Sequence, residues 1–157
     1  PGVHFSGGML VLPGNPLFAF NGNSHGGPGG VDDVNSGATL AAEGGYQGTI
    51  TIAFDDAVGM LSVGAADVEF EGGAEEIVEF RVYDAMSGGS LLDTTTLRGD
   101  DPGAGDGLLV MVDLTGFAGD DQIRRLEVQR VDSTGSPTRA GYAIDSVVRT
   151  PTVSEGR

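Results

Sequence analysis

Short runs of β-branched and apolar residues with a two-residue period recur from one end of the chain to the other, cut apart by clusters of Gly, Asp, Asn and Pro. That pattern constrains the fold most, because alternation places every second side chain on one face of a strand, whereas a helix needs apolar residues three and four apart. Helical spacing is missing along the sequence, so there are no crossover helices to connect a parallel sheet. The chain therefore reads as all-β: a two-sheet antiparallel β-sandwich, jelly-roll-like, with eight or nine strands.

The clearest strands are Gly48 to Phe54, with Ile50, Ile52 and Phe54 on one face, and Ile77 to Tyr83, with Val78, Phe80 and Val82 on one face. Leu108 to Leu114 is apolar on both faces for most of its length and reads as a central strand. Ile123 to Val131 puts Leu126 and Val128 inward and Arg125, Glu127 and Gln129 outward, and reads as an outer one. Gly59 to Val63, Leu91 to Leu97, Tyr142 to Val148, Met9 to Leu12 and Leu17 to Phe20 complete the set. One domain follows: an edge strand or extended arm over residues 1–20, a sandwich over 21–150 with a long Gly-rich loop at 21–48, and a tail at 151–157. A loop of that length in a compact domain is a place for function.

Charge narrows the partners. The 157 residues carry 23 Asp and Glu against 8 basic residues, all Arg, for a formal charge of −15. Nucleic acid and anionic membranes, which need clustered cations, are excluded as partners. No apolar run is long enough to span a bilayer as a helix. With no Cys, disulfides and thiolate metal sites are out, and any structural metal must be a hard cation held by oxygen, calcium first. A start at Pro1 without Met or a signal sequence reads as a processed protein, and extracellular or cell-surface localisation is the expectation.

Between about Gln47 and Arg149 the order of elements resembles a β-sandwich domain of secreted bacterial proteins of the PEP-CTERM, exosortase-sorted kind. The resembling pieces are TITIAFDDAVGMLSV (Thr49 to Val63), FRVYDAMSGGSLL (Phe80 to Leu92), and IRRLEV (Ile123 to Val128) followed by GYAIDSVV (Gly141 to Val148). Ala57 stands where that family often has Pro, and the chain ends in TPTVSEGR without the family's sorting motif. The resemblance implies an extracellular sandwich related to carbohydrate-binding and adhesive modules, and it does not imply the anchor. By resemblance to calcium-stabilised jelly rolls, Asp145 on the closing strand is a ligand that ties that strand to the first; an exposed strand Asp is the other reading.

The candidate sites are distributed. Asp-Asp pairs at Asp32-Asp33, Asp55-Asp56, Asp100-Asp101 and Asp120-Asp121 fall at expected turns or strand ends, where carboxylates cap turns or share a cation. Asp32, Asp33, Asp100, Asp101 and Asp106 join Asp145 as candidate calcium ligands, although GDDPGAGDG (Gly99 to Gly107) lacks the EF-hand spacing. Neither His4 nor His25 has a partner at zinc-motif spacing, and both read as loop residues. Neither a G-x-S-x-G elbow nor a nucleophilic Cys is present, which leaves dispersed carboxylates as the route to an enzyme. Sugar binding favours aromatic platforms, and with no Trp the best cluster is Tyr46 with Asn21, Asn23 and His25 on the long loop. The stretch from Val3 to Phe20 is apolar and broken by Pro13 and Pro16, so Val3, Phe5, Met9, Leu10, Val11 and Leu12 either form the first strand of their own sheet or fill a strand position in a neighbour.

Taken together, these features lead to the expectation of a non-catalytic structural or adhesive subunit that self-associates outside the cell through strand edges, stabilised by calcium. A carbohydrate-binding module with a polysaccharide partner is the alternative, and a polysaccharide-active enzyme is third.

Overall fold

The computed structural model describes residues 2–7, 9–11, 39–42, 49–68, 70–71, 74–114, 123–137 and 142–151. They form strands β1 (Val3–Ser6), β2 (Met9–Val11), β3 (Thr39–Ala42), β4 (Ile50–Val68), β5 (Phe70–Glu71), β6 (Ala74–Glu75), β7 (Ile77–Tyr83), β8 (Leu91–Arg98), β9 (Gly105–Leu114), β10 (Ile123–Val131) and β11 (Tyr142–Pro151). The paired strands are antiparallel, and apart from the short β5-β6 hairpin they join into a nine-stranded assembly among the described residues. The all-β antiparallel sandwich expected from the alternation is the observed fold.

β4 organises the molecule. Its first half pairs with β1 and β10, and its second half with β11 and β9, so one strand belongs to two sheets. The first sheet runs β1-β4-β10-β7-β8 and the second β9-β4-β11-β3-β2. Val58 is registered against both Ile123 of β10 and Pro151 of β11, which fixes those strands on opposite edges of β4. β1 and β11 therefore follow one another along a single edge, with Val3 opposite Phe54 and Pro151 opposite Val58.

The corner between the sheets is built by bulges, which bend a strand and re-aim its side chains. Against β10, the register steps from Val58 to Ala53 on β4 while β10 moves only from Ile123 to Arg125, so Asp55, Asp56 and Ala57 are looped out. The Arg124 side chain donates to the Phe54 carbonyl from this irregular stretch at 3.1 Å. Against β11, Thr150 faces Met60 and Pro151 faces Val58, which leaves Gly59 as an extra residue. Parity inverts there: Ile50, Ile52, Phe54 and Val58 point inward before the bulge, and Leu61, Val63 and Ala65 after it.

These residues pack with Val78, Phe80, Val82, Leu126, Val128, Leu114, Tyr142 and Ile144 into one core shared by both sheets. Each fully buried large apolar side chain contributes roughly 1.5–3 kcal/mol. Tyr142 on β11 crosses the core and donates its hydroxyl to the Val128 carbonyl of β10 at 2.6 Å, tying one sheet to the other.

Several expectations change. The separate strands foreseen at 48–54 and 59–63 are one, because Asp55 and Asp56 sit in a bulge rather than a turn. β9 pairs with β4 alone among the described residues, while β10 lies between β4 and β7, the reverse of the central and outer roles read from hydrophobicity. The cause is that the outward side chains of β10 are polar yet pack against neighbours on the same face, with Glu127 still partly exposed, whereas Met111 on β9 is exposed. β3 lies inside the segment read as a long loop. β1 and β2 occupy strand positions in their own chain, which is the first of the two readings of the N-terminal stretch. Leu12 and Leu17 to Phe20 lie outside the described residues.

Candidate functional site

The face of the first sheet turned away from the core is built from matched registers. One row runs His4, Ala53, Arg125, Tyr83 and Leu91 across β1, β4, β10, β7 and β8. The next runs Ser6, Thr51, Glu127, Arg81 and Thr94. A third carries Gln129, Glu79 and Thr96, with Thr49 donating to Gln129 Oε1 at 3.0 Å. At about 4.8 Å between strands, a full row spans roughly 19 Å.

The charged groups on this face are paired along their strands. Arg81 contacts Glu79, and Arg125 Nε lies 2.9 Å from Glu127 Oε1. Cross-strand register also sets Glu127 opposite Arg81, a favourable alternation of sign. The side chains are 29% and 15% exposed for Arg81 and Glu79, and 9% and 26% for Arg125 and Glu127, so they lie packed against one another and the sheet. Glu79 Oε1 and Arg125 Nε are buried, and neither is aligned for a hydrogen bond despite its ion contact.

Arg125 holds one end of the face together. Its guanidinium stacks over the Tyr83 ring at 4.0 Å, and Nη1 donates to the Ala85 carbonyl at 3.0 Å and the Gly88 carbonyl at 2.8 Å. A planar fork that combines stacking with directed hydrogen bonds is what Arg supplies and Lys does not. The loop it holds, residues 84–90, is closed by Ser90 N donating to Asp84 Oδ1 at 2.7 Å and Asp84 N donating to the Ser90 carbonyl at 3.2 Å. Gly89 has φ +79°, and a Cβ there would run into the Asp84 carboxylate, so this turn requires glycine.

At the β1 end, Asp55 accepts from the His4 ring at 2.7 Å and from Gly2 N at 2.8 Å. These hydrogen bonds, His4 first, lower the Asp55 pKa below the ordinary carboxylate value. His4 is thus a strand residue with a partner rather than the loop residue expected.

Of the candidate metal ligands, Asp101 accepts from Arg98 N at 2.7 Å and caps the turn after β8, and Asp100 is exposed beside it. Asp106 lies on β9, and Asp145 lies on β11 opposite Gly64. The described partners of β11 are β3 and β4, and β11 follows β1 along one edge of β4. Asp32, Asp33, Asn21, Asn23, His25, Tyr46 and the Asp120-Asp121 pair lie outside the described residues. Among the described residues, His, Asp and Glu side chains do not gather in groups of three or more that could hold a metal. The alternation Glu79-Arg81-Tyr83 and Arg125-Glu127-Gln129 was the available signal for the polar face, but that β7 and β10 are neighbours is set by tertiary pairing.

Comparison with known proteins adds the following. No protein-family model matches the chain, and no curated protein matches it. Among solved structures it is similar to a mutant of CBM29-2, studied to probe the mechanism of ligand recognition by family 29 carbohydrate binding modules. The two share 13% identity with a TM-score of 0.45, covering 94% of this chain and 78% of that one.

Proposed function

We propose that this domain is a non-catalytic glycan-binding module that works outside the cell, with the outward face of the first sheet as its binding surface. The observation that carries this reading is the row-wise array of paired guanidinium and carboxylate forks with Thr and Gln between them on one sheet face. Planar forks engage two hydroxyls at once, which suits the adjacent hydroxyls of a sugar ring. The Arg125 clamp and the ion pairs hold these groups before a ligand arrives, so little rotamer entropy is lost on binding. Both carboxylates are tied to guanidinium groups, an arrangement that fixes hydrogen-bond directions rather than delivering a proton. β1 and β2 serve their own sheets in this reading, and self-assembly through a donated arm is not part of the function.

Native affinity electrophoresis through gels containing soluble polysaccharides tests the reading. The chain should be retarded by at least one polysaccharide, Arg81→Ala should lose most of that retardation, and Met111→Ser on the opposite sheet should leave it unchanged. Migration unaffected by every polysaccharide would sink the proposal.

A further inference from the structure

Building on that reading of the face, we infer that its ligand is an uncharged, linear polysaccharide lying across the strands, and that Glu79 and Glu127 act as the residues that exclude acidic glycans. Each guanidinium on the face has its own carboxylate: Arg81 has Glu79, Arg125 has Glu127, and at the lower rim Arg98 has Glu75 at 2.8 Å. At the β1 end His4 is matched by Asp55. Among the described residues, the outward rows therefore present no surplus cation to a uronate or sulfate group. The rest of the molecule opposes a polyanion as well, since its formal charge is −15.

Internal pairing does not remove the forks from use. Glu79 Oε1 and Arg125 Nε are themselves buried, but side-chain exposures of 29% for Arg81, 15% for Glu79 and 26% for Glu127 leave their other polar atoms to meet a ligand from solvent. What a neutral sugar offers, donor and acceptor hydroxyls without charge, fits donors and acceptors whose net charge is already zero. Burying a carboxylate of the ligand beside Glu79 or Glu127 would instead set like charges together.

The registered rows give the site its direction. Ser6, Thr51, Glu127, Arg81 and Thr94 form one registered row running across the strands, edged by Ala53 on one side and Thr96 on the other. A strip of that shape accommodates an extended chain rather than a single compact residue.

The experiment compares retardation by a neutral set (mixed-linkage β-glucan, galactomannan, xylan) with an acidic set (polygalacturonate, alginate), using the whole chain and a Glu79→Gln/Glu127→Gln double variant. Circular dichroism and the thermal midpoint serve as folding controls. The wild type should bind within the neutral set alone. The double variant should lose about tenfold in neutral affinity and gain salt-sensitive binding to the acidic set. Wild-type binding to the acidic set overturns the inference while leaving a glycan-binding module in place. Binding to neither set removes that underlying reading too. A folded double variant that keeps the wild-type preference overturns the role given to the two carboxylates, and Glu127→Gln alone repeats that test if the double variant fails to fold.

Discussion

Tyr142 shows how much one polar atom decides when it is buried. The ring fills the core between the sheets, and its buried hydroxyl is satisfied there by donating to the Val128 carbonyl. Burial pushes its ionisation well above the ordinary tyrosine value of 10.0. The raised value means that folding keeps a proton that the unfolded chain loses above that pH. The group's contribution is therefore complete below pH 10.0 and is lost as pH rises beyond it. Tyr142→Phe should lower stability by about 0.5–1.5 kcal/mol at neutral pH. That corresponds to about 2–4 °C in the thermal midpoint for each kcal/mol in a domain of this size. The variant should also flatten the alkaline limb of the stability profile, and calorimetry across that range checks both effects. An unchanged alkaline limb would mean that the hydroxyl is not held as described.

At the level of the element, β4 carries the fold, and what makes it two half-strands is the extra residue Gly59. Deleting Gly59 removes the parity switch, so register kept with β10 turns Leu61, Val63 and Ala65 outward. The deletion variant should lose its cooperative thermal transition, whereas Gly59→Ala, which keeps the count, should unfold cooperatively; a cooperative deletion variant contradicts the corner described. Strand identity was legible in sequence: Ile77 to Tyr83 was read with its true boundaries, and the inward triplets of β4 and β7 were read with their true faces. The link through Asp55, Asp56 and Ala57 was not, because an Asp pair signals a turn as strongly as a bulge and only the Arg124 and β10 partners distinguish them. The candidate face was half legible, since its residues alternate visibly on β7 and β10 while the pairing that assembles them is non-local. β8, paired only with β7 among the described residues, bears two devices that discourage edge-to-edge pairing. One is a register shift that leaves an extra residue at Leu92, and the other is Asp93 on the core-facing register opposite Val82.

Over the whole molecule, two exposed carboxylates shape the response to acid. Asp132 accepts from Thr134 Oγ1, Thr134 N and Ser136 N and closes the turn after β10, while Asp55 fastens β1, and both ionise below the ordinary value of 3.8. A lowered folded-state value means that the stabilisation is complete above pH 3.8 and is lost as pH falls from there through the folded value. Asp132→Asn keeps an acceptor oxygen for the turn but does not titrate, so its thermal midpoint should fall less steeply than that of the wild type on that acid limb. Parallel limbs would remove Asp132 from the acid response. The shared strand has a mechanical consequence as well. Because β1 begins opposite Phe54 and β11 ends opposite Val58, both outward-leading ends of the described chain meet at the bend of β4. Tension applied through them pulls each strand back along itself and opens its ladder one rung at a time, starting at the bend. The domain is thus built to yield by peeling under load, and because β11 lies between β4 and β3 and carries Tyr142 and Ile144, opening its ladder opens the core as well.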